Sequence, residues 1–385
     1  MAGLYIHIPF CKSRCIYCGF YSTTHTNLKQ KYVDSLCCEI KLRAEEISNS
    51  KNKKNLGSFV NDKLLIDTIY FGGGTPSQLE ENQLIQLFNN INDKFAISPS
   101  AEITIECNPD DITEDYSKVL SNLPINRVSL GVQTFNEEQL KFIRRRHDKN
   151  AIFYAVEQLR HIGIGNISID LMYGFPGETI DNWEDDISNA LSLNVEHISA
   201  YSLMYEEGTP LHQLLKQGII KETDEDTSYN MYNILTDRLK DAGYEHYEIS
   251  NFAIKGFHSR HNSSYWEGIP YIGIGASAHS YDIFTRQWNV SDVETYINSI
   301  ENGCIPMEFE LIDEDTRYND SITTCLRTSK GLDISILSDK HRKFCLACAE
   351  AFIKQGYVEI INNRLRITKY GLFISDMIMS ELMFV

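Results

Sequence analysis

Three cysteines near the start of the chain have the spacing of ligands to a metal cluster. Cys11, Cys15 and Cys18 lie in the run PFCKSRCIYCGF, so that four and then three positions separate consecutive thiols. Cysteine thiolates are the usual protein ligands of iron–sulfur clusters. A structural metal site normally has a full set of protein ligands, whereas three thiols leave one corner of a cluster unligated. The segment therefore predicts a cluster with one corner that the cysteines do not fill.

The surroundings of these cysteines indicate a reducing compartment. The chain has ten cysteines, and its first residues, MAGLYIHIPFCK, lack the charged and then apolar run of a secretory signal. Cysteine clusters in such proteins indicate metal or redox sites rather than disulfides. We therefore expect a cytoplasmic protein. The pairs Cys37–Cys38 and Cys345–Cys348 fall in helical patterns and are interpreted as packing residues.

Composition limits the classes of function. The chain has 385 residues, of which 42% are hydrophobic and 23% are charged, as in a soluble protein with one large domain and a smaller one. No stretch approaches the roughly 18 apolar residues of a membrane span. A formal net charge of −17 opposes binding to nucleic acid, which needs a basic surface. The basic run Arg144–His147 is too short to reverse this expectation.

The first two hundred residues alternate between short β-rich segments and helical segments. The predicted strands are Gly3–Ile8, Leu64–Phe71, Ala101–Cys107, Asn126–Val132, Asn166–Tyr173 and Glu196–Ser202. The predicted helices are Leu28–Ile47, Glu80–Asn92, Asn136–Arg144, Ala151–His161 and Thr179–Leu193. Six such units predict parallel strands with right-handed crossovers, hence a barrel or part of one. The polar stretch Ser48–Asp62 is predicted to be a solvated insertion.

The pattern changes after Tyr201. Irregular and helical segments follow, with a glycine-rich block at Tyr271–Ala276. From about Asp313 a small helical domain is predicted, with a hairpin over Gly356–Thr368 and a last helix. This order resembles a winged helix. Because the chain is acidic, we favour packing or partner docking over DNA binding for this module.

Polar residues fall at the ends of the predicted strands, where barrel active sites are built. The run Gly72–Pro76, GGGTP, follows the second strand, and its glycines allow close approach of a ligand to the backbone. Glu106 ends the third strand and Gln133 the fourth, and Asp170 lies in the fifth. Any one of them fits a capping or solvated role, but together they predict one binding site at the mouth of the barrel.

The spacing CxxxCxxC, followed by this glycine loop, resembles the signature of the radical S-adenosylmethionine (SAM) enzymes. The resemblance implies that Cys11, Cys15 and Cys18 hold three irons of a [4Fe-4S] cluster and that SAM binds the fourth. The residues that it assigns to SAM are Tyr5, Tyr17, Gly73, Gly74, Thr75, Glu106, Gln133, Arg145 and Asp170. Carboxylate and amide groups suit the ribose and the charged methionine end, and Arg145 is the expected partner of the SAM carboxylate.

Further motifs extend the resemblance over nearly the whole chain. LYIHIPFC, FGGGTP, ECNPDD, SLGVQTF, DLMYGFPGET, YSLMYEEGTPL and YEISNFA are similar to the HemN, or coproporphyrinogen dehydrogenase, group. The implied fold is α/β, a partial (β/α)6 TIM-like barrel with a C-terminal winged-helix-like α+β domain. The expected domains are 1–210 for the barrel, 211–312 for a HemN-type extension and 313–385 for the winged helix.

Two differences from the dehydrogenases indicate another function within this group. Phe20 stands where they carry a fourth cysteine, and only ten residues precede Cys11 where they have a longer segment. In addition, the run from Arg260 to Trp266 contains HNxxYW, a motif similar to that of the HemW haem chaperones. The resemblance implies haem binding by His261, Asn262, Tyr265 and Trp266, with His258 and His279 as further candidate ligands. An imidazole can ligate haem iron, and flat aromatic rings can pack against a porphyrin.

The expected function is that of a haem chaperone with a [4Fe-4S] cluster and SAM, which delivers haem to apo-haemoproteins. Its expected partners are haem, a haem donor and apo-haemoprotein recipients, and no nucleic acid; a homodimer and transient contact with membrane haemoproteins stay open. The alternative is an oxygen-independent coproporphyrinogen III dehydrogenase or another radical SAM oxidoreductase acting on a porphyrin. A haem- or iron-sensing winged-helix regulator is a third interpretation. The sequence assigns no catalytic residue.

Overall fold

The structure, a computed structural model, describes residues 2–49 and 55–385. Residues 50–54, which belong to the predicted insertion Ser48–Asp62, lie outside the described part. The remainder of that stretch includes the end of the first helix and a short strand, Phe59–Val60, which pairs with Lys63 and Leu64.

Sixteen strands and thirteen α-helices lie within the described residues. The strands are β1 Gly3–Ile8, β2 Phe59–Val60, β3 Lys63–Gly73, β4 Ala96–Cys107, β5 Arg127–Gln133, β6 Ile167–Tyr173, β7 His197–Ser202, β8 Glu245–Glu248, β9 Asn251–Ala253, β10 Tyr271–Ile274, β11 His279–Tyr281, β12 Thr285–Asn289, β13 Met307–Leu311, β14 Leu332–Asp333, β15 Val358–Ile361 and β16 Arg364–Ile367. The helices are α1 Lys29–Asn49, α2 Glu81–Lys94, α3 Glu114–Ser121, α4 Glu137–Phe142, α5 Lys149–His161, α6 Ile180–Ser192, α7 Pro210–Lys216, α8 Glu225–Asp241, α9 Arg260–Trp266, α10 Val293–Glu301, α11 Glu314–Cys325, α12 Asp339–Lys354 and α13 Ser375–Glu381.

Six parallel strands form the centre of the larger sheet. Strands β1, β3, β4, β5, β6 and β7 pair in this order, and helices connect them. Each of the six was predicted from its β-rich pattern, so the barrel-type α/β fold is confirmed. The strands are buried on both faces, which explains their nearly continuous apolar sequences.

Shorter strands extend the sheet at both sides. On one side β10 runs parallel to β1, and β11, β12 and β13 continue in antiparallel order. On the other side β9 and then β8 pair antiparallel beyond β7. The irregular pattern after Tyr201 therefore contains edge strands and helices that flank the parallel core.

The C-terminal residues form a second hydrophobic core. Strands β14, β16 and β15 make a three-stranded sheet beside α11, α12 and α13. The predicted hairpin turns at Asn362 and Asn363, whose φ angles of 52° and 60° suit a two-residue turn. A β-bridge between Glu248 and Thr328 joins this unit to the larger sheet. The winged-helix-like arrangement is thus present.

None of the helices in residues 2–49 and 55–385 combines the length and the apolar character that a membrane crossing requires.

Candidate functional site

A cavity of about 540 Å³ opens at the carboxyl ends of the parallel strands. A pocket of this volume is large enough for a small-molecule ligand. Most of the residues predicted for the cluster and for SAM lie on its wall: Cys11, Cys15, Tyr17, Cys18, Gly73, Gly74, Thr75, Glu106, Gln133, Arg145 and Asp170. The fold therefore brings together residues that are up to 159 positions apart, from Cys11 to Asp170.

The three cysteines of the first motif are free thiols on the loop that follows β1. Thr75 donates its hydroxyl to the Cys11 sulfur at 3.4 Å, and Arg145 donates Nη1–H to the Cys15 sulfur at 3.6 Å. Burial raises the pKa of the Cys11 and Cys18 thiols, while the Thr75 and Arg145 donors act in the opposite direction at Cys11. These donors are placed to stabilise thiolate ligands.

The arrangement differs from a site for a single metal ion. Among the described residues, no three His, Cys, Asp or Glu side chains converge closely enough to hold one ion. Cysteines of an iron–sulfur cluster bind different irons, so they need not meet at one point. The donor set of three sulfurs on one cavity wall thus fits a cluster better than a mononuclear site.

Asp111 fixes the cysteine loop to its neighbours, a role that the sequence did not reveal. Its carboxylate is buried and accepts hydrogen bonds from Lys12 at 3.1 Å, Ser77 at 2.7 Å and Gln78 at 2.8 Å. Arg146 donates to it at 3.3 Å. One carboxylate therefore connects the cysteine loop, the loop after β3 and the basic run. Only the ECNPDD motif, in which Asp111 is the last residue, pointed towards this position.

The glycines after β3 are required by close packing. Gly73 has a φ of +114°, and a Cβ atom there would lie 2.6 Å from the His7 ring. A Cβ on Gly74 would lie 2.7 Å from the Pro9 carbonyl carbon and 3.1 Å from the Cys11 sulfur. Any larger residue would push this loop away from the cysteines. The predicted reason for the glycine run, close backbone approach, thus applies to the cysteine loop itself.

Glu106 and Asp170 are half-buried carboxyl groups on the wall of the cavity. Glu106 accepts hydrogen bonds from the Tyr70 hydroxyl at 2.8 Å and from the Gly73 amide at 3.1 Å. Burial raises the pKa of Glu106 to about 7, although the Tyr70 hydrogen bond lowers it. Burial also raises the pKa of Asp170, and the Ser199 hydroxyl lowers it by hydrogen bonding. Both carboxyl groups are suited to accept hydrogen bonds from hydroxyl groups of a ligand.

Gln133 and Arg145 lie between these carboxylates and the cysteines. Gln133 has a φ of 72° at a register irregularity in β5, an uncommon conformation for a residue with a side chain. Arg145 donates Nη2–H to the Asn108 side chain at 2.8 Å and to the Gly131 carbonyl. Its guanidinium therefore connects β5, through the Gly131 carbonyl, with the Cys15 sulfur by hydrogen bonds. Backbone strain beside a cavity is typical of binding sites.

The two predicted tyrosines take different positions. Tyr17 lies on the cavity wall beside Cys18. Tyr5 lies behind the wall, where its ring packs on Tyr70 at 6.2 Å and its hydroxyl is 3.1 Å from His7 Nδ1. The structure thus does not bring Tyr5 to the surface of the cavity; it supports Tyr70, the residue that contacts Glu106.

The HNxxYW motif forms α9, near the amino ends of the strands. The Glu102 carboxylate accepts the backbone N–H groups of Arg260 at 3.1 Å and His261 at 3.0 Å. Glu102 precedes Glu106 by four positions in β4, so α9 lies towards the end of the barrel opposite the cysteine loop. The cavity extends this far, because Asn262 is part of its wall.

His261 is a buried residue with both ring nitrogens in hydrogen bonds. Its side chain is 1% exposed, with Nδ1 2.8 Å from the Thr68 hydroxyl and Nε2 2.8 Å from the Tyr265 hydroxyl. Burial lowers its pKa to about 3, and the nearby charge of Arg127 lowers it further. The imidazole is therefore neutral. This conformation does not present His261 as an open ligand.

The other residues predicted for haem binding make separate contacts of their own. The Trp266 ring packs under the Arg327 guanidinium at 5.0 Å. His258 contacts the Glu245 carboxylate at 2.9 Å and stacks on Tyr247 at 4.2 Å. His279 is exposed on β11. Of the remaining cysteines, Cys37 and Cys345 are buried in the hydrophobic cores, as expected for packing residues, whereas Cys38 is exposed.

Comparisons with known proteins agree with this geometry. Residues 5–190 match the Radical SAM superfamily. The chain is 34% identical to "Heme chaperone HemW" of Lactococcus lactis, over 94% of this chain and 89% of the relative. It is 35% identical to the protein of the same name from Bacillus subtilis, over 89% and 87% of the two chains. A third protein of this name, from Mycobacterium tuberculosis, is 30% identical over 99% and 94%.

A solved structure shares the fold over nearly the whole chain. The structure described as "Coproporphyrinogen III oxidase (HemN) from Escherichia coli is a Radical SAM enzyme" has a TM-score of 0.83 and 22% sequence identity, covering 99% of this chain and 90% of that one. At this identity the likeness shows the fold alone. The relatives that match in sequence are more specific, and they show that the chain belongs to the HemW family of the radical SAM superfamily.

Proposed function

We propose that this chain is a haem chaperone that binds haem, carries a [4Fe-4S] cluster together with SAM, and delivers haem to apo-haemoproteins. The observation that carries the proposal is the similarity to three proteins named heme chaperone HemW, each at 30% identity or more over at least 87% of both chains. Similarity over this length includes the barrel, α9 and the C-terminal unit. The proposal therefore concerns the whole chain rather than the cluster-binding segment.

Membership of the radical SAM superfamily implies a [4Fe-4S] cluster and SAM, and the residues of the cavity fit both. Cys11, Cys15 and Cys18 would hold the cluster, which supplies reducing electrons when it is bound. Thr75 and Arg145 would stabilise its thiolates, since each donates to a cysteine sulfur. Among the described residues, three cysteines of the loop after β1 line the cavity, and the one other cysteine on its wall, Cys107, is buried in the core, so one corner is left for another ligand.

For SAM, we propose the cavity residues that the sequence predicted. Glu106 and Asp170 would accept hydrogen bonds from the ribose hydroxyls, and the backbone of Gly73–Thr75 would contact the amino group of the methionine part. Arg145 would hold the SAM carboxylate by turning from the Gly131 carbonyl towards the cavity. Gln133 and Tyr17 complete the wall near the cysteines.

The mouth of the cavity suits a flat apolar ligand such as haem. Phe20 and Met204 line the cavity and are 75% and 65% exposed, and Tyr201 lies beside them. Exposed apolar side chains around a pocket often mark a surface that another molecule covers. We place one edge of the haem ring against these side chains and the opposite edge towards Asn262, the neighbour of His261, which lies on the same cavity.

The assignment of His261 as the ligand of the haem iron stays a prediction. His261 can ligate iron only after its Nε2 leaves the Tyr265 hydroxyl, since both ring nitrogens now have partners. A bound haem would have to supply the free energy for that opening. His279 needs no such change, because it is exposed and its imidazole, which lies beside the Trp288 ring at 6.2 Å, makes no hydrogen bond to the described residues.

Phe20 separates this proposal from the dehydrogenase alternative. Its exposed ring stands at the position where the resemblance placed a fourth cysteine, and a phenyl group cannot act as a thiol in redox or acid–base chemistry. We therefore favour haem transport over conversion of coproporphyrinogen III. The haem donor, the recipients and the assembly state stay predictions.

Haem transfer tests the proposal. The cluster-loaded chain is incubated anaerobically with one equivalent of haem, desalted, and mixed with apomyoglobin, while the Soret band is followed. We expect a stoichiometric haem complex first and then the spectrum of myoglobin. As a control, haem mixed with serum albumin reports passive release. If the chain binds no haem, or if transfer is no faster than from albumin, the proposal is wrong.

A further inference from the structure

The interior of the barrel beneath the predicted SAM site is polar. Ser129 on β5, Ser168 on β6 and Ser199 on β7 all line the cavity. Interiors of (β/α) barrels are normally filled by layers of branched apolar side chains. Three serines from consecutive strands therefore indicate that this space is kept for polar groups or for a ligand.

Arg127 lies in this interior without a hydrogen-bond partner for most of its donors. It is the first residue of β5, is 1% exposed, and lines the cavity. Its Nε and Nη1 atoms have no partner among the described residues. A buried guanidinium with unpaired N–H groups is costly, because it has left water without gaining hydrogen bonds in return.

Glu106 and Asp170 lie close enough to Arg127 for its charge to lower their pKa values, but neither carboxylate makes a hydrogen bond or an ion pair with it. Glu106 directs its oxygens to Tyr70 and Gly73, and Asp170 is hydrogen-bonded by Ser199 and Ser129. The closest imidazoles, His197 and His261, are buried, and burial lowers the pKa of both, with the charge of Arg127 as a second cause. The guanidinium is thus surrounded by neutral or already occupied groups.

Two further donors face the same cavity from other parts of the chain. Arg327, between α11 and β14, lines it, and its Nε atom also has no partner within the described residues. The closest carboxylate oxygen, on Glu248, is 3.9 Å from Arg327 Nη2. Asn262 of α9 lines the cavity too, and its side-chain amide makes no hydrogen bond to the described chain.

We propose that Arg127, Arg327 and Asn262 form a carboxylate subsite, which takes a propionate of the haem that the proposed function assigns to this chain. A guanidinium presents parallel N–H groups that match a carboxylate, and an amide adds a neutral donor. The inference rests on the proposed function and goes beyond it, because it names the group that is recognised and the residues that recognise it.

The position separates this subsite from that of the SAM carboxylate. Arg145 contacts Cys15 at the cysteine end, whereas Arg127 begins the strand that ends at Gln133. Six residues separate Arg127 from Gln133 along β5, and the charges of Arg127 and Arg145 both lower the pKa of Asp170, so Asp170 lies near both guanidinium groups. Because Arg127 is only 1% exposed, the space beside it admits a carboxylate side chain rather than a macrocycle. The ring would lie outside this space, between Phe20 and Met204 at the mouth and Asn262 deeper in the cavity.

The test compares haem with haem dimethyl ester, which keeps the iron and the ring but lacks ionised propionates. Affinities are measured by anaerobic Soret titration of the full chain and of Arg327→Gln, Arg127→Gln and Arg127→Lys. Arg238→Gln is the matched control, because Arg238 is half-buried on α8, away from the cavity, and its side chain donates only to Ser188. We expect wild type and the control to prefer haem at least tenfold. In Arg327→Gln that preference should fall to threefold or less, with ester affinity unchanged.

The outcomes distinguish failure of the carboxylate subsite from failure of the proposed function. Equal affinities of the wild type for haem and its ester would overturn the subsite and leave the proposed function intact. A preference that persists in both Arg327→Gln and Arg127→Gln would overturn the assignment to these residues. If neither compound binds, the proposed function fails, and the subsite fails with it. Should Arg127→Gln not fold by circular dichroism, the wild-type comparison and Arg327→Gln still decide.

Discussion

The Nε2 atom of His261 lies 2.8 Å from the hydroxyl of Tyr265, one helical turn further along α9. Both residues belong to the HNxxYW motif, so the motif makes its own internal hydrogen bond. The second nitrogen of His261 is held by Thr68 on β3. In this conformation the motif is a closed, neutral core element, and ligation of iron by His261 requires the Tyr265 contact to open.

Substitution of Tyr265 by Phe tests whether His261 is the iron ligand. The change removes the hydroxyl that occupies Nε2 and so lowers the cost of opening the site. Loss of about 1 kcal/mol of hydrogen bonding predicts roughly fivefold tighter haem binding. Soret titration measures the affinity. Tyr271→Phe, whose ring packs on Tyr265 at 4.7 Å, is the control and should bind as wild type does.

A companion variant identifies the ligand. We expect His261→Ala to weaken haem binding and shift the Soret band, while the iron–sulfur absorption is unchanged. If both His261→Ala and Tyr265→Phe leave the spectrum and affinity unchanged, the ligand lies elsewhere. His279→Ala and His258→Ala would then be the variants to compare.

Replacement of Cys11, Cys15 and Cys18 by Ala should abolish the cluster. These three thiols are the cysteines on the cavity wall apart from Cys107, which is fully buried in the core. After anaerobic reconstitution we expect the brown absorption and about four irons per chain in wild type, and neither in the triple variant. A control with Cys38, Cys304 and Cys348 changed to Ala should keep both. Retention of about four irons in the first variant would refute the assignment.

Glu106→Ala and Asp170→Ala should each weaken SAM binding. Each change removes a half-buried hydrogen-bonding carboxylate, which is worth about 1–3 kcal/mol, or roughly five- to a hundredfold in affinity. Isothermal titration calorimetry under anaerobic conditions measures this. Glu138→Gln, in the exposed first turn of α4, is the control. Unchanged affinity in both Ala variants would remove these residues from the SAM site.

The raised pKa of Glu106 gives that SAM site a pH dependence. Burial moves the pKa to about 7, so the group is protonated at pH 6 and largely ionised at pH 8. SAM affinity should therefore rise with pH through about 7 if the carboxylate accepts ribose hydroxyls. Because burial raises the folded pKa of Glu106 from 4.5 to about 7, its contribution to the free energy of unfolding should fall as pH rises from about 4.5 to about 7 and level off above that. Glu106→Gln should flatten both profiles.

Asp111→Asn should loosen the cysteine loop without removing a cluster ligand. The Asp111 carboxylate holds Lys12, Ser77 and Gln78, and an amide cannot accept from all three. We expect wild-type iron content immediately after reconstitution but several-fold faster loss of the 4Fe signal to a chelator. Asp115→Asn, exposed on α3, should behave as wild type. Equal rates of loss in wild type and Asp111→Asn would show that Asp111 does not position the loop.

The parallel core was predictable because its strands are long and strongly apolar. Five of the six predicted strands match the observed ones to within two residues at each end, with β1 matching at both ends, whereas β4 begins five residues before the predicted start. Helix α3 was missed, since its eight residues carry a short apolar pattern between two strong strands. The short edge strands β8 to β13 were also missed. Short strands at the edge of a sheet show little regular alternation of apolar and polar residues in the sequence.

The residues of the cavity wall were predictable where they lie at the ends of strands. They were less predictable where their position depends on contacts between distant segments of the chain. Residues at the carboxyl ends of the strands, such as Glu106, lie at the same end of any barrel. Their residue types and their order along the chain were therefore sufficient to predict that they line one cavity. Arg127 and Asp111 act through contacts between segments far apart in sequence, which no local pattern encodes. The burial of His261 also depends on such contacts, with Thr68 and Glu102 lying more than 150 positions away.

The most direct test of the account compares haem binding with coproporphyrinogen turnover in the same preparation. The chain is reconstituted anaerobically with iron and sulfide, supplied with SAM and a reductant, and divided between haem and coproporphyrinogen III. We predict a stable one-to-one haem complex and no protoporphyrinogen IX by liquid chromatography, since Phe20 stands where the dehydrogenases have a further cysteine. Multiple turnovers of coproporphyrinogen III without haem binding would contradict the account and favour the dehydrogenase.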